Sequence, residues 1–278
     1  MQYGPLHAAR DGGVVVVTID SPPLQLVDAA FIGGLLELLP ALESDPAPRV
    51  VVFRSADPDY FLMHGDVEYL LGAAPAHGEP VSEPNIAAAT FDRLHHAPFL
   101  TIGVLDGIAR GGGCEFLSAL DLRIGSPRAV IGQPEAAMGI LPGAGGTVRW
   151  SRLVGRARAL ELLLTGRDIH AQEALALGWL QALVPRERLD EEAASLAARI
   201  AHLSAAGIAA VKQVVDAALG AERGALVAES DALERLMAAG QHRAPMRRFL
   251  AAGGQTRAGE LTGVTALLDA MLGIERDP

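Results

Sequence analysis

The first half of the chain alternates short apolar runs with segments of helical pattern. Val14 to Ile19 form a β-branched run between a glycine pair and a proline pair, which is typical of a buried strand. Similar runs predict strands over 50–53, 100–104 and 121–124, and helices are predicted over 28–43 and 84–96. Strands separated by helices favour an α/β fold with a mostly parallel sheet.

The second half is increasingly helical. A helix over 156–166 is predicted to end at Gly166, a shorter helix follows over 169–178, and the segment 72–82 is the predicted mobile loop. Residues 187–276 repeat apolar side chains at helical spacing, as at Leu189, Ala193, Leu196, Ile200 and Leu203. We therefore divide the chain into an α/β core over 1–186 and a helical region over 187–278. The helices of that region fit subunit contacts and packing on their own subunit equally well.

Composition narrows the range of partners. The 278 residues carry a formal charge of −10, which argues against nucleic acid as a ligand. Lys212 is the only lysine, so an anionic ligand must be held by arginines or backbone amides. Cys114 stands alone, which excludes a disulfide framework and a cysteine metal site. No apolar run approaches the roughly 20 residues of a membrane-spanning helix, and the cytoplasm is the expected location.

Two glutamates follow glycine-rich or helix-initiating segments. Glu115 comes directly after Gly111 to Gly113 and Cys114, and Glu135 ends the segment Gly132-Gln133-Pro134-Glu135. The first amides of a helix have no partner inside it, and glycine lets a substrate oxygen approach them closely. Two carboxylates beside free amides can move a proton next to a polarised carbonyl. The alternatives are a glycine turn packed on a strand and glutamates that only cap helices.

Two further patterns predict neither a phosphate-binding loop nor a metal site. The glycine-rich segment over 139–147 lacks the Gly-Lys-Ser/Thr of a phosphate-binding P-loop. His95 and His96 are adjacent, and because neighbouring helical residues do not share a face, we predict no metal site.

The ordered motifs carry a family resemblance. The segment 106–115, the segment 132–135, the glycines of 139–146 with Arg149 after them, and Leu164 to Ile169 together resemble the crotonase (enoyl-CoA hydratase/isomerase) family. The resemblance extends over nearly the whole chain. It implies a spiral of ββα units with a C-terminal helical region that forms trimers.

The resemblance also implies the chemistry. Members bind an acyl-CoA thioester and polarise its carbonyl with two backbone amides, which match Gly65 and Gly112. The residue matching Glu115 activates water, and the residue matching Glu135 supplies a proton to Cα. Retention of both glutamates favours hydration of a 2-enoyl-CoA. Double-bond isomerisation, or a non-catalytic acyl-CoA-binding subunit, remains the alternative.

Further expectations concern the ligand and the assembly. The resemblance implies a homotrimer or a dimer of trimers, with no separate cofactor because coenzyme A is part of the substrate. The predicted substrate-binding residues are Met63, His64, Asp66, Arg110 and Gly143. His64 replaces the family's usual glycine and either lines the acyl pocket or faces solvent. One of Arg110, Arg247, Arg248 and Arg257 is expected to approach a CoA phosphate.

Overall fold

A computed structural model of the chain describes residues 1–44, 48–73 and 78–274. The strands are β1 (Gln2–Tyr3), β2 (Leu6–Asp11), β3 (Val14–Ile19), β4 (Val50–Ser55), β5 (Tyr60–Leu62), β6 (Leu100–Leu105), β7 (Ile108–Arg110), β8 (Leu122–Gly125), β9 (Val130–Gly132), β10 (Ile169–His170) and β11 (Ala182–Leu183). The predicted strands over 14–19, 50–53, 100–104 and 121–124 are confirmed, with ends shifted by two residues at most.

The helices are α1 (Ala29–Glu43), α2 (Val67–Gly72), α3 (Ile86–His95), α4 (Gly112–Ala119), α5 (Gly146–Val154), α6 (Arg156–Thr165), α7 (Ala171–Ala176), α8 (Arg186–Ala201), α9 (Ala205–Leu219), α10 (Arg223–Ala239), α11 (Arg243–Ala251), α12 (Arg257–Leu261) and α13 (Val264–Leu272). A 3-10 helix spans Glu135–Met138. Asp28 caps α1 by accepting from the Phe31 amide at 2.8 Å, as predicted. The helix predicted over 169–178 is shorter, because its first two residues pair with β9. Residues 74–77 of the predicted loop lie outside the described residues.

The described strands form two sheets. The larger has the order β1-β2-β3-β4-β6-β8-β11, with antiparallel pairing at β1-β2-β3 and parallel pairing from β3 onward. The smaller has the order β10-β9-β7-β5. Three successive turns of the chain each add one strand to each sheet and then a helix: β4-β5-α2, β6-β7-α4, and β8-β9 followed by the 3-10 helix. This confirms the predicted α/β fold and its spiral of ββα units.

The main core lies between the sheets and the inner helices. Phe116 of α4 is its centre, and the rings of four other phenylalanines lie 5.1–6.4 Å from it: Phe31, Phe53, Phe61 and Phe91. Such ring pairs add specific geometry to the apolar area that they bury. Because Phe116 is fixed in this way, the first turn of α4 has a defined position against β5 and β7.

The later helices have two different roles in the packing. Helix α8 covers the outer face of the larger sheet, where Leu189, Ala193 and Ala197 contact its valines and isoleucines. Helices α11 and α13 pack on α2 and on the 3-10 helix, around the buried Met246 and Phe249. Within the described residues no single helix has the length and hydropathy to cross a membrane, and α8 with α9 meets that test only as a pair bent by 103°. The boundary at residue 186 stays a prediction.

Candidate active site

Three successive glycine amides at the start of α4 have different partners. The Gly111 amide donates to the Gly132 carbonyl at 2.9 Å, and the Gly113 amide donates to the Met63 carbonyl at 2.9 Å. The Gly112 amide, between them, donates to no protein acceptor in the described part of the chain. Gly112 lines a cavity, so its N–H is available to a ligand there.

Gly111 shapes this turn. Its φ of 51° lies in the region that favours glycine. A Cβ at this position would lie 2.6 Å from Oε1 of Glu135 and 2.8 Å from Cβ of His64. The turn therefore brings β7 and α4 close enough to Glu135 and His64 that no side chain fits.

A second free amide comes from the loop after β5. The His64 carbonyl accepts a hydrogen bond from the Val27 amide at 3.1 Å. In a trans peptide the C=O and the following N–H point in opposite directions, so the Gly65 N–H points away from Val27. Across ranges 1–44, 48–73 and 78–274, no protein acceptor meets the Gly65 amide, and Gly65 lines the same cavity as Gly112. Two free amides beside one cavity can bind a single oxygen that becomes negative.

The cavity has a volume of about 700 Å³ and is mostly apolar. Its polar side includes seven of the residues discussed here: His64, Gly65, Asp66, Gly112, Glu115, Glu135 and Gly143. Its apolar walls come from α1, from α10, from α11, and from the 3-10 helix and the segment after it, and include Ile32, Leu36, Met138, Ile140, Leu233, Met237 and Met246. The space suits an elongated apolar group whose polar end meets the two amides and the two glutamates.

Glu115 is held by the loop that leads into α5. Its side chain belongs to the first turn of α4 and its residue is 4 % exposed. Oε1 accepts from the Ala144 amide at 2.7 Å and from the Gly146 amide at 2.8 Å. Burial and then the charge of Glu229 raise the pKa of Glu115 to about 8, although these two amides and Arg149 act to lower it.

Glu229, from α10, binds the same loop from the other side. Its carboxylate accepts from the Gly145 amide at 2.6 Å, from the Val148 amide at 3.2 Å and from the Thr147 hydroxyl. Amides along this loop thus donate alternately to two carboxylates, one from α4 and one from α10. The sequence analysis missed Glu229, because no pattern connects it to Gly145, 84 positions earlier.

Glu135 has a different environment. It begins the 3-10 helix, is 6 % exposed and accepts from its own backbone amide. When the side-chain amide of Gln133 is oriented with its nitrogen toward Glu135, that nitrogen donates to Oε2 of Glu135 at 3.1 Å and to Oε1 at 3.3 Å. Burial and then the Glu115 charge raise the pKa of Glu135 well above its ordinary value.

The environments distinguish the two glutamates. Two backbone amides of the loop into α5 favour the ionised form of Glu115, whereas Glu135 accepts only from its own backbone amide and from Gln133 among the described residues. Two close, buried carboxyl groups share protons as a pair. We therefore assign the negative charge of the pair to Glu115 and the proton to Glu135.

Two of the predicted substrate-binding residues are wrong. Met63 is fully buried in a separate apolar cluster with Leu24, Tyr60 and Ile108. Arg110 is 1 % exposed, because its guanidinium binds Asp168 and Glu260 and cannot reach a ligand. The partners of Arg110 lie 58 and 150 positions later in the chain, so the sequence did not show them.

The remaining predicted residues line the cavity but have structural partners as well. Asp66 caps α2 by accepting from the Glu68 and Tyr69 amides at 3.0 and 3.1 Å. The Gly143 carbonyl accepts from Asn85 at 2.5 Å. His64 is 2 % exposed, which excludes the solvent-facing alternative.

The four candidate arginines have different surroundings. Arg257 binds Asp57 and Asp59 at 2.7 and 2.5 Å and lies over the Tyr60 ring. Arg110 is buried, as described above. Arg247 and Arg248 are exposed on α11 and remain candidates for a phosphate contact.

The side chains of His95 and His96 lie closer together than the sequence predicted. Their rings lie 5.0 Å apart, because His96 is the C-cap of α3 and no longer has helical geometry. Together with Asp216 they offer ligand atoms within 4.8 Å of one another. These residues do not line the cavity described above.

Comparison with known proteins identifies the class. Residues 9–253 match the model of the enoyl-CoA hydratase/isomerase family, and the chain belongs to this family. It is similar to a crystal structure from Streptomyces avermitilis reported as a candidate enoyl-CoA hydratase, at 33 % identity and a TM-score of 0.86, covering 98 % of this chain and 99 % of that one. The fold therefore places the free amides and both glutamates in a family of known acyl-CoA chemistry.

Two other solved structures support the assignment. An enoyl-CoA hydratase from Bacillus anthracis shares 27 % identity with a TM-score of 0.71, over 81 % of this chain and 90 % of that one. Pseudomonas aeruginosa DspI shares 28 % identity with a TM-score of 0.71, over 81 % of this chain and 91 % of that one.

Proposed function

We propose that the protein hydrates a 2-enoyl-CoA to the corresponding 3-hydroxyacyl-CoA. The observation that carries the proposal is the presence of two buried glutamates, with different hydrogen-bond partners, beside two free backbone amides. The Gly65 and Gly112 amides would bind the thioester oxygen as it becomes enolate-like. One such donor is typically worth roughly 3 kcal/mol in the transition state.

The glutamates supply the remaining steps. Ionised Glu115 orients a water molecule and takes its proton while the oxygen bonds to C3 of the substrate. Protonated Glu135 gives its proton to C2. The sum of the two transfers is the addition of one water across the double bond. The amide of Gly143 would lie near the water, since this residue lines the same cavity.

The experiment is a direct assay. Addition of the protein to crotonyl-CoA should decrease the ultraviolet absorbance of the conjugated thioester and give 3-hydroxybutyryl-CoA as product. Conversion of a 3-enoyl-CoA to a 2-enoyl-CoA without hydration would instead identify an isomerase. Binding of acyl-CoA without turnover of either ester would identify a non-catalytic subunit, and both results would contradict the proposal.

The CoA moiety needs positive charge from few residues. The single lysine, Lys212, binds Asp121 at 2.8 Å and the Phe99 carbonyl at 2.9 Å. Arg247 and Arg248 lie exposed on α11, whose buried Met246 lines the cavity. We propose that one of them contacts a CoA phosphate, because guanidinium groups bind phosphate well.

We also propose a trimer or a dimer of trimers, in the cytoplasm. The support is an apolar stripe on α9, where four side chains are 53–68 % exposed: Val211, Val214, Val215 and Leu219. An apolar stripe at this spacing is expected to pack against another surface. Closed symmetry would cover it in every subunit.

A further inference from the structure

Four ionisable residues form one largely buried network beside the free amides of Gly65 and Gly112. His64 and Arg110 both contact Glu260, and Arg110 also binds Asp168. Glu260 belongs to α12 and is fully buried. The family match ends at residue 253, so this contact reaches from a family motif to a segment outside the matched range. We propose that Glu260 holds His64 as an imidazolium and that this ion pair positions the Gly65 amide for catalysis.

The hydrogen bonds of His64 require two ring protons. Nδ1 lies 2.8 Å from the Gly65 carbonyl oxygen, and Nε2 lies 3.0 Å from Oε1 of Glu260. Both partners are acceptors when Glu260 is ionised. A neutral imidazole has one N–H, whereas an imidazolium has two. With Glu260 ionised, as its lowered pKa supports, only the charged form of His64 satisfies both contacts.

Charge balance leads to the same conclusion. Arg110 binds Asp168 through two hydrogen bonds of 2.9 and 3.0 Å, and binds Oε2 of Glu260 at 3.0 Å. Two carboxylates and one guanidinium would leave a net negative charge in a buried place, which is costly. A positive His64 makes the network neutral. Burial acts to raise the pKa of Glu260, but His64 and Arg110 outweigh it and the pKa is lowered.

The other neighbours of His64 do not supply a competing partner. On α11 the Phe249 ring lies 5.6 Å away, edge to face. A Cβ on Gly111 would touch both His64 and the carboxyl of Glu135, so Glu135 is a second titratable group on this side, and we assigned it a proton. Among the described residues, Glu260 is therefore the anion that faces the imidazole directly.

Gln255 strengthens the connection between the loop after β5 and the segment before α12. Its backbone amide donates to Oε1 of Glu260 at 2.9 Å, and its side chain donates to Asp66 at 2.9 Å and accepts from the Val67 amide at 2.6 Å. Its φ of 57° is uncommon for a residue other than glycine. Such strain persists where surrounding contacts hold it in place; here they bind Asp66 and Val67 after Gly65 and Glu260, which contacts His64 before it.

The consequence for catalysis concerns one peptide group. The carbonyl of His64 accepts from Val27 on one side, and the ring of His64 is held by Glu260 and the Gly65 carbonyl on the other. The peptide between His64 and Gly65 is thus fixed from both ends, with its N–H toward the cavity. His64 and Glu260 are positioning residues, because they act through the Gly65 amide. The effect on catalysis depends on the hydratase function proposed above, whereas the charge of His64 does not.

The experiment uses Glu260→Gln in the full-length protein. An amide at this position can still accept from Arg110 and can donate to a neutral His64, so the fold should persist without the ion pair. We expect kcat for crotonyl-CoA to fall about tenfold while KM changes less than about twofold, since a misplaced oxyanion donor weakens the transition state more than substrate binding. Asp121→Asn is the matched control, because it also converts a largely buried carboxylate to an amide but lies at the contact with Lys212.

Nitrogen-15 spectra of the histidine rings provide the second measurement. At about pH 7.5, where a free imidazole is mostly neutral, the wild-type protein should show His64 with both ring nitrogens protonated, assigned by its loss in His64→Gln. Glu260→Gln should convert this signal to that of a neutral ring. A neutral His64 in the wild type, or an unchanged kcat in an active Glu260→Gln variant, would overturn the proposal. An imidazolium in a protein without hydratase activity would confirm the ion pair and reject only the proposed reaction.

Discussion

Replacement of Glu135 by glutamine should abolish most of the activity and yet stabilise the protein. The substitution keeps the shape of the side chain and removes only the proton that we assign to it. Loss of a positioned acid typically lowers kcat by more than about 100-fold, which corresponds to at least about 3 kcal/mol of transition-state stabilisation. Substrate binding should change little, because a neutral amide replaces a neutral acid.

The stability effect follows from the raised pKa of Glu135. Its ordinary value is 4.5, and the folded protein raises it well above this value. Because the folded pKa lies above the unfolded value, folding must bind a proton at any pH between the two. The cost is about 1.4 kcal/mol for each pH unit above the unfolded value over which the folded carboxyl stays protonated. Glutamine removes this cost and should raise Tm at pH 7 by several degrees, since about 1 kcal/mol shifts Tm by about 2–4 °C in domains of this size.

The difference in Tm between Glu135→Gln and the wild type should also change with pH in one direction only, which gives a second test. A group with a raised folded pKa contributes its full stability below the unfolded value and loses it as pH rises. The Tm advantage of Glu135→Gln should therefore be near zero at about pH 4.5 and grow toward pH 8. Scanning calorimetry and the crotonyl-CoA assay measure both effects. Glu37→Gln, at an exposed position on α1, should change neither. Near wild-type turnover, or a Tm gain that is the same at both pH values, would refute the assignment.

Three other predictions concern the remaining parts of the proposal. Glu115→Gln should lower kcat by more than about 100-fold with little change in KM, because two amides still hold its oxygen but no base remains; near wild-type hydration would show that Glu115 does not activate water. Arg247→Ala and Arg248→Ala are expected to include one variant with a raised KM for CoA esters and an unchanged kcat, since a phosphate contact is equally strong in the ground and transition states; unchanged KM in both would place CoA elsewhere. Light scattering at micromolar concentration should report a trimer or hexamer, and Val214→Glu on the exposed stripe of α9 should reduce its mass; a monomeric wild type would contradict the assembly.

The sequence predicted the elements that local pattern determines. The valine run of β3 needs only its own side chains and a buried position to form a strand, and Asp28 caps α1 through its own backbone neighbours. The strand and the cap were confirmed at the residues predicted. The glycines before Glu115 indicated free amides because their chemistry is also local, but among the described residues only the Gly112 amide is free, since those of Gly111 and Gly113 donate to the carbonyls of Gly132 and Met63.

The errors arose where distant parts of the chain meet. Arg110 was expected to bind a ligand, but Asp168 and Glu260 lie 58 and 150 positions later and neutralise it. The separation between Glu229 and Gly145 hid the third carboxylate in the same way. His95 and His96 were judged by ideal helical geometry, which ends at His95 itself. Local rules give the position of a side chain along its element, whereas its partners depend on how the elements meet.

The loop leading into α5 has a consequence for how the protein becomes active during synthesis. Gly65, Gly112, Glu115, Glu135 and the amides that hold Glu115 are all made before residue 147. The carboxylate of Glu229, which binds the other amides of this loop, belongs to α10 and is synthesised about 80 residues later. A nascent chain released or cleaved before α10 would contain every reacting group and still lack the contact that orders the loop around Glu115. Under the proposed function, hydratase activity should therefore appear only after α10 has docked on this loop.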